Sequence, residues 1–485
     1  MQRTEIGGVP VLWEQGPAPL AAALVFGVGA RHESFRTAGV THLVEHLVMS
    51  TLPKSALDRN AQVDLDITVF HAAGPEADVV DFLNRVCRGV SQLPLDRIER
   101  ELGVLRAEDG VAEHPAVGLS LRARYGFQAQ GLAGTTGAGP SSLTRDHVID
   151  HARRHFTREN ASLVFSGEPP AGLEMDLPSG SPVPLPSAPH VDLRLPGLIA
   201  ADHFPVVALS GVVDGSENDS AAASVTASIL KERLEDELRG RHGISYDVGF
   251  GGASIRLGQS MPVVWADGHD DKWQVVVDTL WTALKTLADD GPTAEELDHA
   301  LAVARAELED PRAIAGWLVF QAARTLNGRE PRTRQEQAEL ERTLDAATIQ
   351  ACAQQMLDTA LLLAPDARVH LDDVPDITED HPPTSDPIDG HLYRRKVLAI
   401  APRDLAVRVS DQGISVTARG VTGRVDWSDT VAVASAPGVR GIIASDGRQL
   451  SLIAKCLRDG DEMLAQIDGY TAGLAFDADP DEILA

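Results

Sequence analysis

The chain has 485 residues, enough for two to four domains, and carries 71 acidic against 43 basic side chains for a net charge of −28. That balance argues against a nucleic-acid partner, because neutralising phosphate needs a basic surface. Three widely spaced cysteines (Cys87, Cys352, Cys456) and no apolar run of membrane-spanning length predict a reducing compartment, no disulfide framework and no membrane partner.

The N-terminus "MQRTEIGGVPVLWEQ" has no basic stretch followed by an apolar run, so it does not read as a signal peptide and a cytoplasmic location is expected. Next, "GVPVLWEQ" and "APLAAALVFGVGA" predict strands, and a helical pattern starts at Gly39. "QVDLDITVFHAAG" alternates as one half-buried strand does. "EADVVDFLNRVCRGVSQL" and "LDRIERELGVLRAED" then place apolar residues three and four apart, as helices do. A Pro-rich stretch, Leu177–His190, reads as a linker.

Beyond it the same order returns. "FPVVALSGVVDG" predicts a strand, "SAAASVTASILKERLEDELRG" a long helix, "ISYDVGFGGAS" and "MPVVWADG" strands, then further helices. The repeated order suggests an internal duplication. A second linker, Val374–Gly390, precedes short alternating strands with turns at "DQG" and "SDG" and a closing helix. The expected architecture is α+β: two tandem α+β domains (1–176 and 191–373), each a mixed sheet packed by helices, and a small β-barrel or sandwich domain (391–478).

The chemistry concentrates in "GVTHLVEHL". On a helix His42 and His46 lie one turn apart on one face with Glu45 beside them. Zinc accepts imidazole and carboxylate ligands, and Glu45 could act as a general base toward a water on the metal. Taken alone, the pattern is also that of an amphipathic helix that happens to carry histidines.

The longer run "FGVGARHESFRTAGVTHLVEHLVMS" resembles the signature of the M16 (pitrilysin-like, H-x-x-E-H) metallopeptidases, with Gly29, Arg31, Glu33, Gly39, His42, Glu45 and His46 in register. The resemblance implies zinc held by His42 and His46, with Glu45 as general base. It also implies a third ligand from a later helix, where "ELGVLRAE" offers Glu108 as ligand and Glu101, two turns back, as a carboxylate that orients the site. From His46 to Glu108 is 62 residues (108 − 46). That is about a dozen fewer than the family pattern, so Asp109 and Glu113 stand as alternative ligands, and a wider substrate channel is one expected consequence.

"RNAQVDLDITVF" is similar to the family's substrate-pairing edge strand, which implies that Asn60, Ala61 and Gln62 bind an extended peptide by β-addition. "HFTRENASLVFSGEP" resembles the run that closes the family's catalytic domain, with Asn160 in place, although the helix that normally follows is missing. "LRGRHGISYDV" looks like the family's Arg/Tyr run, which assigns Arg239 and Tyr246 to the substrate carbonyl and the developing oxyanion. Half-length (M16B-type) members pair two chains so that this Arg/Tyr pair serves the partner's zinc site. A homodimer is therefore expected, with a heterodimer with a homologue as the alternative.

The third segment resembles pleckstrin-homology (PH)-like folds in strand order, without a marked phosphoinositide pocket, and a role in protein contact or in gating is expected. The whole reads as a zinc endopeptidase acting on short or unfolded peptides. A non-catalytic structural subunit or peptide-binding scaffold is the alternative.

Overall fold

The computed structural model describes residues 1–485 except 109–112, 201–203, 378–385, 481–482 and 484–485. Its first half opens with strands β1 (Gln2–Ile6), β2 (Val9–Trp13) and β3 (Leu20–Phe26), then helix α1 (Val40–Met49). A hairpin of β4 (Asp58–Val63) and β5 (Thr68–Gly74) follows. Four helices come next, α2 (Glu76–Ser91), α3 (Ile98–Glu108), α4 (Pro115–Tyr125) and α5 (Arg145–His155), before β6 (Ala161–Phe165) closes the half.

The second half repeats this order. It runs β7 (Gly197–Ala200), β8 (Val207–Ser210), β9 (Val213–Asp214) and α6 (Glu217–Leu234), then β10 (Val248–Arg256) and β11 (Gln259–Ala266). Helices α7 (Trp273–Asp290), α8 (Ala294–Glu309), α9 (Ile314–Leu326), α10 (Arg334–Glu341) and α11 (Ala346–Asp358) lead to β12 (Leu361–Ala364).

The sheets have one topology. The first is ordered β1-β2-β6-β3-β5-β4 and the second β7-β12-β8-β11-β10, with β9 also on β11. In each, the strand that ends the half runs parallel to an early strand (β6 with β2, β12 with β7) and antiparallel to its other neighbour. The duplication suggested by element order is therefore a duplication of strand pairing as well.

Residues 62–74 form a hairpin where the alternation predicted one strand. The Asp64 N–H donates to Ile67 O at 2.9 Å across the turn, and the apolar–polar rhythm runs through that turn without a break. The rhythm alone therefore could not reveal it.

Strand β3 reads as unbroken apolar sequence because both of its faces are covered. One face packs with α1, α2 and α5 in the first core (Leu24, Phe26, Val44, Phe82, Phe156). The other meets α9 of the second half, with Leu318 and Ala322 against Ala23, Val25 and Val164. The reciprocal contact also exists: α4 of the first half sets Val117, Leu121 and Tyr125 against Ala208, Val263 and Leu363 of the second sheet. Each half thus covers the outer face of its neighbour's sheet with one of its own helices.

The third unit has two four-stranded sheets. One is β13 (His391–Arg394), β14 (Ala406–Val409), β15 (Gly413–Ala418) and β16 (Val421–Asp426), in that order. In the other, β17 (Thr430–Ala436) and β18 (Val439–Ala444) lie inside β19 (Gln449–Ile453) and β20 (Ala475–Asp477). Helix α12 (Gly460–Tyr470) packs Met463, Leu464 and Ile467 into the core between them.

Candidate metal centre

Helix α1 is fixed at both ends. Gly39 precedes it at φ +87°, a conformation glycine adopts without the Cβ clash of other residues. The Glu33 carboxylate accepts the N–H groups of Gly39 and Thr41 at 2.7 and 2.8 Å and so caps the helix N-terminus in trans. Burial pushes Glu33 up to about 7 against the pull of those hydrogen bonds. At the far end Arg97 donates to Ser50 O at 2.5 Å.

Gly29 sits where its backbone meets the hairpin turn. A Cβ there would lie 2.1 Å from Asp64 O, so only glycine fits. Arg31 is buried, pairs with Asp66 at 3.0 Å, and donates to Ser254 O (2.6 Å) and Ile255 O (3.3 Å) on β10. The signature's glycines, Arg31 and Glu33 thus hold the helix and join the two halves.

On the exposed side of α1, His42, His46 and Glu108 bring three ligand atoms within 4.8 Å of one another, the single such group of His, Cys, Asp or Glu among the described residues. Glu108 Oε2 is 3.2 Å from His46 Nε2 and 3.6 Å from His42 Nε2, and the two rings stand nearly perpendicular with centroids 4.6 Å apart. Two imidazoles and a carboxylate at these separations fit a tetrahedral zinc, which bonds each donor at about 2.1 Å and so spaces them by roughly 3.4 Å.

Glu45 Oε2 lies 3.7 Å from both imidazole Nε2 atoms. Burial, and then the neighbouring Glu108 and Glu101 carboxylates, push Glu45 up to about 8. Burial and then His46 lower His42, against the pull of Glu108. The buried Glu101 carboxylate sits 3.8 Å from His46 Nδ1, on the face away from Glu108. Of the alternative ligands, Glu113 is engaged elsewhere, accepting the Leu65 N–H at 3.3 Å, and Asp109 lies outside the described residues.

Beside His42 opens a cleft of about 550 Å³. One wall is β4, the unpaired edge of the first sheet, where Asn60 and Gln62 are exposed while Ala61 and Val63 are half-buried. Ala61, Gln62 and Val63 line the cleft. The opposite wall includes Leu105 and the segment Leu132–Pro140. The third unit buttresses that wall: Leu132 packs with Phe35, Phe127, Ala434 and Ile443, the Phe127 N–H donates to Ser445 O at 2.8 Å, and Arg36 bonds Gly473 O.

Arg239 and Tyr246 come together with each other, the guanidinium 5.8 Å from the ring centroid, but neither lines the cleft of their own chain. Arg239 belongs to a π-helical turn, Glu235–Arg241, that ends α6. Tyr246 is 85 % exposed. Its loop is pinned by Asp267, whose Oδ1 accepts the Tyr246 and Asp247 N–H groups at 2.8 and 2.9 Å and the Ser245 hydroxyl at 2.7 Å. Asn160 is buried and donates to Gly27 O and His155 O, a structural tie.

Sequence reasoning missed the caps supplied by Glu33 and Asp267, because a carboxylate serving a distant backbone leaves no spacing signal. It also missed a buried histidine group behind α1. His151 Nε2 lies 2.9 Å from Thr41 Oγ1, and the His155 ring is 4.5 Å from His151 and 5.5 Å from His32.

Residues 142–303 match the family model of the peptidase M16 inactive domain. No curated protein matches the chain. Among solved structures, a protease from Helicobacter pylori superposes with a TM-score of 0.62 at 15 % identity, covering 75 % of this chain and 98 % of that one. A peptidase M16 inactive domain from Pseudomonas fluorescens gives 0.60 at 16 %, covering 76 % and 99 %. The periplasmic protease PqqL from Escherichia coli gives 0.57 at 14 %, covering 86 % of this chain and 55 % of its own. The fold is that of the M16 peptidases and their inactive relatives. The matched model ends and begins outside residues 39–108, the segment that carries the histidines and Glu108.

Proposed function

We propose that the chain is a zinc-dependent endopeptidase that encloses and hydrolyses short or unfolded peptides. The observation that carries this reading is the convergence of His42, His46 and Glu108 next to Glu45 and an unpaired strand edge. Zinc would be held by His42, His46 and Glu108. Bound there, it would polarise the scissile carbonyl and make a water acidic enough to attack.

The chain's own residues do the rest. Glu45 takes up the water's proton and returns it to the leaving amine. Glu101 steadies His46 from behind. Asn60, Ala61 and Gln62 offer backbone groups to an extended substrate, which aligns as a seventh strand beside β4.

Arg239 and Tyr246 donate to the oxyanion from a second copy of the chain, which makes the working unit a homodimer with sites shared in trans. Their place outside their own chain's cleft supports this arrangement. Three buried cysteines, far apart in the sequence, fit a reducing, cytoplasmic setting.

A second reading, a non-catalytic M16-like structural subunit, is favoured by the word "inactive" in the matched model. That match runs over residues 142–303, the end of the first half and most of the second, so the word does not bear on the segment that carries His42, His46 and Glu108. The test is hydrolysis of a quenched fluorescent peptide library. Glu45→Gln is expected to lose roughly 10²–10⁴-fold in turnover, and equal turnover would favour the scaffold. Mixing Glu45→Gln with Tyr246→Phe chains is expected to restore part of the activity through mixed dimers, and no rescue would count against sharing in trans.

A further inference from the structure

The loop between β13 and β14 displays the most exposed apolar side chains of the third unit. Val397, Leu398 and Ile400 are 73 %, 94 % and 102 % exposed. Contiguous exposed apolar residues of this kind mark contact sites rather than ordinary surface. The loop belongs to the sheet β13–β16, whereas the unit docks on the first half through β17 and β18, and none of the tip residues belongs to that apolar contact.

The loop is also built. The Arg395 side chain turns back into it and donates to Ala401 O at 3.0 Å, to Val397 O at 3.1 Å and to Ala399 O. Backbone bonds Ala399 N–H to Lys396 O (3.1 Å) and Lys396 N–H to Cys456 O (2.9 Å) brace its base. One guanidinium thus satisfies three carbonyls that would otherwise need water. This matters because a backbone group carried into an apolar medium without a partner costs several kcal/mol.

The charge around the tip departs from the rest of the molecule. Residues 394–403 hold four basic side chains and no acidic one, in a chain of net charge −28. Arg394, Lys396 and Arg403 are exposed; the adjoining segment, tied in by the Arg458 N–H to Arg394 O at 2.8 Å, is of mixed charge, with exposed Lys455 and Arg458 followed by exposed Asp459, Asp461 and Glu462. The neighbouring acid Asp404 is turned aside, accepting the Arg419 and Gly420 N–H groups at 2.9 and 2.6 Å.

We propose that this loop is a membrane-contact wedge: Val397, Leu398 and Ile400 enter the interface of an anionic bilayer while Arg394, Lys396 and Arg403 meet its headgroups. An apolar tip with three of its carbonyls already paired, flanked in its own loop by Arg394, Lys396 and Arg403, matches an anionic lipid surface better than it matches a protein groove. The acidic remainder of the molecule is repelled by the same surface, which confines attachment to this end. The inference departs from the sequence-based expectation of no membrane partner and of a protein-contact role for the third unit, and it does not depend on peptidase activity.

The experiment is flotation of the full chain with vesicles of phosphatidylcholine mixed with phosphatidylserine, against phosphatidylcholine alone. Binding is expected to the mixed vesicles, weaker by roughly tenfold or more on the neutral ones and in high salt. The double variant Leu398→Asp/Ile400→Asp is expected to lose at least about tenfold of the binding with an unchanged thermal melt, which separates loss of contact from loss of fold. Failure of the wild-type chain to float with the mixed vesicles would overturn the proposal, as would flotation that the double variant retains. A change in oligomer mass in the double variant, with no vesicle binding by the wild type, would assign the tip to a protein contact and equally overturn it.

Discussion

The two halves share one strand order, yet the space between equivalent helices is filled differently. In the first half α1 and α3 face each other with His42, His46, Glu101 and Glu108, and the one cation paired with any of them among the described residues, Arg100, reaches only Glu101 Oε1, at 3.9 Å, and not the His42, His46 and Glu108 group. In the second half the equivalent helices α6 and α8 are closed by Arg233, which meets Glu296 at 2.7 and 3.0 Å. One half supplies its own cation, and the other has the ligand set for one from solution. On the reading proposed above, the same backbone serves structure in one copy and chemistry in the other, and the difference comes from a few side chains on two helices.

If the halves are equivalents bound together by exchanged helices, then emptying the core under either helix should weaken both. Leu121→Ala on α4 and Leu318→Ala on α9 each remove a fully buried side chain that packs on the other half's sheet. Each is expected to cost about 2–5 kcal/mol in denaturant unfolding, within one cooperative transition. Two separate transitions would break the comparison.

A smaller effect separates the halves by pH. His32, His151 and His155 cluster behind α1, whereas His242, His269, His299 and His370 of the second half are all exposed. Burial lowers His155 to about 4 and His32 to about 3, and burial and then His155 hold His151 well below the usual 6.5. Folded-state values below the unfolded ones mean that stability is complete above the unfolded pKa of about 6.5 and declines as pH falls, by up to roughly 1.4 kcal/mol per pH unit for each histidine. Unfolding followed from pH 7 downward should therefore be flatter in His155→Gln, and an unchanged slope would place the acid sensitivity elsewhere. Smallest of all, Arg233→Met should cost about 1 kcal/mol, as a half-exposed ion pair does.

The site was legible where chemistry has a spacing. H-x-x-E-H on a helix and two glutamates seven apart on another locate side chains whose nitrogen and oxygen atoms the fold brings to between 3.2 and 3.8 Å of one another. The duplication was legible in element order, because each half repeats the alternation of strand and helix patterns. The helix exchange was not. The apolar face of α4 announces that it is buried, but Val117 and Leu121 carry no sign of which sheet they will cover. The β4–β5 hairpin hid inside an unbroken alternation, and the cap that Glu33 gives α1 joins groups with no periodic relation. The basic tip at Arg394–Lys396 stood in the sequence plainly, but only its exposure and the inward turn of Arg395 separate it from an ordinary strand end.

The central claim is that the first half binds a catalytic zinc and the second does not. Its most direct test is metal analysis of the purified chain, paired with peptide turnover before and after chelation. The account predicts stoichiometric zinc in the wild type and in Arg233→Met, little or none in Glu108→Gln or His46→Ala, and turnover lost on chelation and restored by added zinc. A wild-type chain that retains no zinc, or turnover indifferent to chelation, would contradict it.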